Sequence, residues 1–222
     1  MTRSHSESAT SEIHVSWVDN AGSVETHDCA ATKVLEVVRT GGKELRGEVE
    51  AVRQAMQTEL TQHGDYKRAK QIASELKKQL PAVMWSGRFT SREQPTNEKL
   101  INHSGLLCAD LDDLGPQLSH VREKLLKSPH LWAVFRSPSG GGLKPVFRVP
   151  ADGSKHLPSF RAVENHVREL TGIQIDQACK DVARLCFLSH DPEIYINVNA
   201  LEITPLAELE LPTRVMPNGA TI

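Results

Sequence analysis

The spacing of hydrophobic positions changes several times along the chain, and each spacing predicts a different element. Residues 13–18, IHVSWV, alternate apolar and polar side chains as a half-buried strand does. Over 43–60 the apolar side chains recur every three or four residues, which predicts an amphipathic helix. A second helix is predicted over 65–80; it ends before Pro81 because proline cannot continue the hydrogen-bond ladder.

The centre of the chain alternates predicted strands and helices. Residues 104–112, SGLLCADLD, form a nearly continuous apolar run that ends in carboxylates, which is typical of a buried strand with a polar end. Pro145 predicts an edge strand or a bulge around it, because proline donates no ladder hydrogen bond. The predicted elements are an extended segment at 81–89, a strand at 104–112, a helix at 115–128, strands at 131–137 and 143–149, a helix at 158–172, a short helix at 177–184 and a strand at 185–190.

Strands that alternate with helices and include a hairpin predict the α+β class. We expect a mixed or antiparallel sheet of the split βαβ or RRM-like kind, with helices packed on it and an N-terminal extension of a strand and helices. The polar first residues and the weakly periodic last residues predict tails. The predicted divisions are a disordered tail at 1–12, an N-terminal strand and helices at 13–80, a core at 81–200 and a C-terminal tail or linker at 201–222.

Composition indicates a globular protein, with 39% hydrophobic and 24% charged residues. No apolar run approaches the roughly 20 residues that span a bilayer, and the N-terminus has no signal-peptide pattern, so we expect no membrane. The four cysteines form no CxxC pair, which favours free thiols in a reducing cytoplasm. The net charge is −2, but residues 121–190 hold eleven Lys and Arg against six Asp and Glu, which suits either a phosphate-bearing ligand or a solvated face.

The motif CADLDD ends the predicted strand at 104–112. Asp110 and Asp112 are two residues apart, so on a strand both side chains point to one face while Leu111 points to the other. Two such carboxylates repel each other unless a cation bridges them, and Mg²⁺ binds one or two carboxylates together with substrate phosphates. The alternative is a pair of solvated or loop-capping carboxylates.

The stretch SPSGGGLKPVF joins the two central strands. Successive backbone N–H groups in a glycine turn can bind an anion, and the serines and lysine add donors and charge. It is not a P-loop, since no GK[ST] follows and the next element is a strand. The alternative is a hairpin tip whose glycines only satisfy turn geometry. The candidate nucleotide-binding residues here are Ser137, Ser139, Gly140, Gly141, Gly142 and Lys144.

A third stretch, IDQACKDVAR, places Asp176 after a short apolar run and Arg184 on the short helix that follows. Alone, these residues suit an ordinary surface ion pair. Together with Asp110 and Asp112, however, Asp176 provides three carboxylates at strand ends, which suits two divalent ions that stabilise the attacking and leaving oxygens of a phosphoryl transfer. The glycine stretch would then hold a nucleoside triphosphate.

The sequence resembles the archaeo-eukaryotic primase (primase-polymerase) superfamily, and more closely its VirE N-terminal and BT4734-like branch. The likeness runs through LPAVMWSGRF, INHSGLLCADLDDL, FRSPSGGGLKPVFRV and IDQACKDVARLCFLSHDPEIYIN, about residues 80–199. This resemblance implies an RRM-like catalytic core. Domains of this branch often precede a helicase in phage and mobile-element replication proteins, so a helicase domain or partner is also implied.

The resemblance assigns roles to particular residues. It implies metal binding, by Mg²⁺ or Mn²⁺, for Asp110, Asp112 and Asp176, and it implies a phosphate or template contact for Arg184. Lys144 falls where most of the superfamily has a histidine that contacts the nucleotide's phosphates. A lysine can neutralise a triphosphate as a point charge, but it cannot act as a neutral imidazole near pH 7.

The function we expect is a nucleotidyltransferase that joins nucleoside triphosphates on a single-stranded DNA template. The alternative is an RRM-like module that binds single strands without catalysis and recruits a helicase. Trp85 and Trp132 are candidates for base stacking, although Trp132 lies in an apolar strand and suits the core better. A rolling-circle nuclease is disfavoured because no His-x-His pair occurs. The candidate contacts to the nucleic-acid backbone are Arg88, Lys99, Arg136 and Arg148.

Overall fold

The computed structural model describes residues 12–206, which contain ten strands and five α-helices. The strands are β1 His14–Val18, β2 His27–Ala30, β3 Ala82–Met84, β4 Gly87–Phe89, β5 Leu100–His103, β6 Leu106–Cys108, β7 Leu131–Arg136, β8 Leu143–Arg148, β9 Cys186–Phe187 and β10 Tyr195–Ile196. The helices are α1 Ala31–Thr40, α2 Leu45–His63, α3 Tyr66–Lys77, α4 Leu118–Leu125 and α5 His156–Thr171. Residues 1–11 of the predicted N-terminal tail and residues 207–222 of the predicted C-terminal tail lie outside the described residues.

Two four-stranded sheets and one short hairpin make up the strands. The first sheet has the order β2-β1-β3-β9, the second has the order β10-β7-β8-β6, and β4 pairs with β5. Every pairing between these strands is antiparallel. The predicted α+β class is therefore confirmed. The N-terminal strand β1 pairs with both β2 and β3, and β3 also pairs with β9. The first sheet therefore combines strands from both ends of the described chain.

The second sheet contains a split βαβ unit. Strands β6 and β7 are both antiparallel to β8, which lies between them, and α4 connects them. The later strands repeat the pattern on the other side, since α5 lies between β8 and β10 in the chain and β7 separates those strands in the sheet. The strand β10 thus lies next to β7, while β6 is at the far edge.

The two faces of the second sheet pack against different partners. On β6 and the residues that follow it, Leu107, Ala109 and Leu111 point into a cluster that includes residues of α4 and α5. Leu106 points into the other cluster, which includes residues of α1, α2 and the first sheet. This alternation follows from the two-residue repeat of a strand. It places Asp110 and Asp112 on the face towards the first sheet.

Local signals explain where the helices start and stop. The Asp65 side chain accepts a hydrogen bond from the Arg68 N–H at the start of α3 (2.9 Å). Helix α2 ends at Gly64 and α5 ends at Gly172, both in the left-handed conformation that glycine adopts without steric cost. The predicted helices at 43–60, 65–80, 115–128 and 158–172 all form, with shifted ends.

The structure differs from the prediction at Pro145. This residue lies in β8, which is a central strand, and not at a sheet edge. Pro145 lies opposite Ala109 in the same register, and its carbonyl accepts from the Ala109 N–H (2.9 Å), so the pair keeps one of its two backbone hydrogen bonds. The pairing of β7 with β8 has a register shift, the alternative that Pro145 predicted, and it lies between Leu131 and Ala133 of β7.

Two tryptophans that were candidates for base stacking belong to the core. Trp85 is 1% exposed and Trp132 is 2% exposed, and their rings meet edge to face with centroids 6.0 Å apart. The expectation of base stacking by Trp85 is therefore wrong, because no face of the ring is open to a ligand. Within residues 12–206, the helices are all too short or too polar to cross a membrane.

Candidate functional site

Asp110 and Lys144 lie directly opposite one another on neighbouring strand segments. Cys108 pairs with Val146 and Leu111 pairs with Leu143, which leaves Asp110 in register with Lys144 between them. Leu111 and Leu143 exchange both backbone hydrogen bonds (3.0 and 2.9 Å), so the next pair along has its side chains closer together. The Lys144 ammonium forms an ion pair with the Asp110 carboxylate.

This ion pair is shielded from solvent. The Lys144 side chain is 11% exposed and that of Asp110 is 12% exposed. Burial is the largest effect on the pKa of Lys144 and lowers it, but the surrounding negative charge, that of Asp110 first, and the bond to Asp110 together outweigh burial, so the pKa lies above its usual value. Lys144 is therefore a permanent positive charge at the site.

Asp112 shares the cleft with this pair. Asp110, Asp112 and Lys144 all line a cavity of about 530 Å³, which we call the carboxylate cavity. Burial, and then the negative charge of Asp110, raise the pKa of the Asp112 carboxyl. The prediction that the two carboxylates of CADLDD share a face is confirmed, because both line this cavity.

Three more cations border the same cavity, from three different parts of the chain. Lys77 is at the end of α3, Arg92 is on the segment after β4, and Arg184 precedes β9. Burial, and then the charge of Lys144, lower the pKa of Lys77. The Arg92 guanidinium donates to the carbonyls of Ala21 (2.7 Å) and Ser23 (2.8 Å), which fixes it in place. With Asp181, which also lines it, the cavity therefore combines three carboxylates with four cations.

The glycine stretch packs directly on the carboxylate motif. A side chain at Gly142 would lie closer than 3.0 Å to the Leu111 carbonyl, whereas one at Gly141 would meet nothing within 4 Å. The Leu114 N–H also donates to the Gly141 carbonyl (2.9 Å). The third glycine is therefore needed for a close backbone approach, which holds the stretch against residues 111–114.

Several polar groups of this stretch are already paired within the protein. The Gly140 N–H donates to the Ser137 carbonyl (2.9 Å), with Gly140 in the left-handed region at φ 81°. The Gly142 N–H donates to the Ser137 hydroxyl (3.1 Å). Ser137 and Lys144 line the carboxylate cavity, whereas Ser139, Gly140 and Gly141 border a separate cleft beside α2. Five of the six candidate residues are thus divided between two cavities, and Gly142 lines neither.

Asp113 fixes the turn after the carboxylates. It has a positive φ of 57°, a left-handed conformation that is uncommon outside glycine. Its carboxylate accepts from the Tyr66 hydroxyl (2.5 Å) and from the Lys70 ammonium (2.6 Å), both on α3. These bonds lower the pKa of the Asp113 carboxyl, Lys70 first. Helix α3 thereby anchors the chain immediately after Asp112.

Asp176 lies next to Asp110 through its backbone and not through its carboxylate. The Asp176 N–H donates to the Asp110 carbonyl (3.0 Å). Its carboxylate accepts from the Ala178 N–H (2.9 Å) and from the Arg184 guanidinium (2.9 Å). The structure therefore brings together Asp110, Asp112 and Arg184 at the cavity, and it leaves the Asp176 carboxylate outside the lining.

The four candidate backbone contacts do not line the carboxylate cavity. Arg88 forms an ion pair with Asp28 (2.6 Å), and Arg148 forms one with Glu202 (3.5 Å). Lys99 ends a short 3₁₀ turn. Arg136 borders the cleft beside α2 and donates to the Gly140 carbonyl (2.6 Å).

The fit to a divalent cation can be judged from the carboxylate oxygens. One oxygen of Asp110 pairs with Lys144, while the other is buried and has no hydrogen-bond partner among the described residues. A cation between the two carboxylates would bind the unpaired oxygen of Asp110 and would lower the pKa of the Asp112 carboxyl. Within residues 12–206 no three His, Cys, Asp or Glu side chains converge on a metal position.

The sequence did not identify Lys77 and Arg92 as residues of the site. Lys77 follows Ser74 by three residues, and both border the cavity, so they share one face of α3. A helical pattern indicates which residues share a face, but it does not identify the strand that this face meets. The signal for Arg92 is weaker still, because it lies in a polar loop.

Residues 75–196 match the family described as "BT4734-like, N-terminal domain". The match covers more than half of the 222 residues, and the chain belongs to this family. It includes β3 to β10, α4, α5 and every residue of the carboxylate cavity except Ser74. No curated protein and no solved structure matches the chain.

Proposed function

We propose that this member of the BT4734-like family binds a nucleoside triphosphate in the carboxylate cavity and transfers its nucleotide to a strand held on a single-stranded DNA template. The observation that carries the proposal is the lining of one cavity of about 530 Å³ by four cations and three carboxylates, two of which, Asp110 and Asp112, lie on one strand segment. Phosphoryl transfer depends on positioning and on charge stabilisation, and this lining offers both. We expect the reaction in the cytoplasm, as part of a phage or mobile-element replication protein.

Asp110, Asp112 and Lys144 have separate parts in this proposal. Asp110 and Asp112 would hold Mg²⁺ or Mn²⁺, through the orphaned oxygen of Asp110 and the carboxylate of Asp112. When bound, such an ion supplies positive charge to the phosphate oxygens of the reacting centre. Lys144 is charged at every physiological pH and is positioned to neutralise a phosphate beside the carboxylates.

The remaining residues bind and orient the substrate. Lys77 and Arg184 border the cavity, and both carry donors for phosphate oxygens. The bond that forms joins the 3′-hydroxyl oxygen of the growing strand to the α-phosphorus. The bond from that phosphorus to the oxygen bridging the β-phosphate breaks, pyrophosphate leaves, and the hydroxyl proton passes to solvent.

An RRM-like core is part of the proposal. It is supported by the split βαβ unit of β6, α4 and β7 around β8, and by the position of Asp110 and Asp112 just beyond the first strand of that unit. Helices α4 and α5 pack on one face of the sheet, and the carboxylates lie on the other.

A second function is favoured by one observation. Lys144 neutralises Asp110, and Arg184 neutralises Asp176. Cations of the protein therefore already balance part of the negative charge that metal ions would otherwise balance. This arrangement suits a module that binds single-stranded nucleic acid or nucleotide without catalysis and recruits a helicase.

A primer-synthesis and extension assay with Mg²⁺ or Mn²⁺ separates the two functions. The unmodified protein is compared with Asp110→Ala/Asp112→Ala and with the surface control Asp19→Asn, after circular dichroism has shown that each is folded. Incorporation by the unmodified protein and the control, but not by the double variant, supports the transferase. Incorporation at full rate in the double variant overturns the catalytic assignment. Salt-dependent DNA binding with no incorporation in any variant supports the second function.

A further inference from the structure

A second cleft lies on the other side of the glycine stretch. It has a volume of about 910 Å³ and is formed by one face of α2, by residues 139–141, and by Arg136 and His190. We call it the α2 groove. On α2 its lining runs from Arg46 to Gln62, which are sixteen positions apart, or about 24 Å at the rise of an α-helix. The groove is therefore an elongated trough, long enough for several residues of a polymer.

The α2 groove and the carboxylate cavity share a wall. Ser137 and Pro138 face the cavity, while Ser139, Gly140 and Gly141 face the groove. A ligand in the groove is thus separated from the carboxylates by the width of one loop. A polymer that followed the groove would pass its end close to the proposed nucleotide.

Arg53 holds this shared wall in position. Its guanidinium donates to the carbonyls of Pro138 (3.2 Å), Ser137 (3.4 Å) and His190 (3.0 Å) and to the Ser189 hydroxyl (3.3 Å). These four hydrogen bonds fix the Arg53 side chain in the lining of the groove, where its guanidinium adds positive charge.

Arg46 and Arg136 are the cations free to meet a ligand. Both side chains are exposed at the groove. Arg136 donates through Nε to the Gly140 carbonyl (2.6 Å), which leaves its two terminal nitrogens for other acceptors. In the described part of the chain, Arg46 makes no side-chain hydrogen bond or ion pair, and Glu50 is the one carboxylate in the lining. The groove is therefore net positive.

The uncharged lining favours a nucleic acid over a simple anion. Amide and hydroxyl side chains recur along the exposed face of α2, at Gln54, Gln57 and Thr61, and can bond to base edges or sugars. Met56 and Leu60 add apolar surface. A positively charged groove that can follow the phosphate backbone is one element of single-strand binding.

We propose that the α2 groove binds single-stranded nucleic acid, with Arg46 and Arg136 contacting its phosphates. This inference rests on the proposed function, because it places the strand beside the nucleotide cavity. It concerns α2, which lies outside the residues that match the family.

Fluorescence anisotropy with labelled single-stranded DNA and RNA 15-mers, over a series of salt concentrations, tests the proposal in the full chain. Arg46→Glu is the main variant, since the exposed Arg46 side chain holds no other segment of the fold in place. Gln54→Lys adds a charge to the groove, and Arg161→Ala is the control, an exposed arginine on α5 away from it. Arg136→Gln is the second groove variant.

We expect Arg46→Glu to weaken binding about fivefold to tenfold and to lower the salt slope by about 0.7 for each phosphate that the protein no longer neutralises. Gln54→Lys should tighten binding, and Arg161→Ala should leave it unchanged. Equal affinity in Arg46→Glu and Arg161→Ala overturns the inference, and so does equally tight binding of polyglutamate. Nucleotide binding is measured on the same samples: a loss confined to single strands supports the groove, whereas absent nucleotide binding with intact groove effects contradicts the proposed function alone.

Discussion

Lys144 and Asp110 form a cross-strand ion pair at the floor of the carboxylate cavity, in register between two regular strand pairs. The lysine is fixed by its own strand and by the carboxylate opposite. The pair gives the site a permanent cation and uses one oxygen of the carboxylate that the proposed metal ion needs. A change to this ion pair should therefore affect both the stability of the fold and the proposed metal binding.

Lys144→Met is expected to destabilise the fold by about 3 kcal/mol, because it leaves the Asp110 carboxylate buried without its partner. The double variant Lys144→Met/Asp110→Asn removes the uncompensated charge and should recover part of that loss. Urea unfolding followed by circular dichroism measures both.

Mn²⁺ provides a second measurement on the same variant. If a cation fits between Asp110 and Asp112, it should stabilise Lys144→Met more than the unmodified protein, since it replaces the missing charge. Equal stabilisation of the two proteins by Mn²⁺ would argue against a cation position at these carboxylates.

Gly142→Ala is expected to cost about 1–3 kcal/mol and to weaken nucleotide binding, because the new methyl group collides with the Leu111 carbonyl and pushes the loop off the carboxylate motif. Gly141→Ala is the matched control, with open space around its position. Thermal unfolding and nucleotide titration are the readouts. Similar behaviour in the two variants would show that close packing does not position this loop.

Arg53→Met is expected to loosen residues 137–142, because it removes four hydrogen bonds between α2, this loop and 189–190. Hydrogen exchange should become faster in the loop while the strands stay protected. The control is Arg39→Met, whose side chain forms an ion pair with Glu36 on its own helix (3.3 Å). Unchanged exchange in Arg53→Met would contradict the positioning role.

The buried pair His103 and His156 should make stability depend on pH. Their ring nitrogens are 3.1 Å apart, and burial lowers both pKa values to about 4, helped at His103 by the charge of His156. Between about pH 6.5 and 4 the unfolded chain therefore binds protons that the folded protein does not. This stability is fully present above pH 6.5 and is lost as the pH falls towards 4.

The loss should be on the order of 5 kcal/mol for the pair, measured by urea unfolding at pH 7 and at pH 4.5. In His103→Phe/His156→Leu the dependence in this window should shrink, while replacement of the exposed His120 by Gln should leave it intact. A double variant with the same pH dependence as the unmodified protein would contradict this assignment.

Sequence patterns predicted the parts of the fold and of the site that depend on local periodicity. The two-residue repeat of a strand predicted that Asp110 and Asp112 share a face, and the helical repeat predicted α2 and α3. The α+β class followed from the order of strands and helices. Each of these depends on neighbours in the chain.

The remaining features depend on contacts between distant segments, which no local pattern specifies. Strand register places Lys144 opposite Asp110, and neighbouring segments decide that Pro145 lies in a central strand. A 3₁₀ turn and an ion pair hold the Asp176 carboxylate on Arg184, where the sequence predicted a shared metal site. The predicted roles of these carboxylates in metal binding stay predictions.

Calorimetric titration of a non-hydrolysable nucleoside triphosphate, with and without Mg²⁺, into the unmodified protein and Asp112→Asn tests the nucleotide cavity most directly. Asp112 borders the cavity and is not the partner of Lys144, so its neutralisation should leave the fold intact. We predict Mg²⁺-dependent binding that weakens about tenfold or more, at least about 1.4 kcal/mol, in Asp112→Asn. Equal affinity in the two proteins, or binding that is indifferent to Mg²⁺, would contradict a nucleotide and metal site at Asp110 and Asp112.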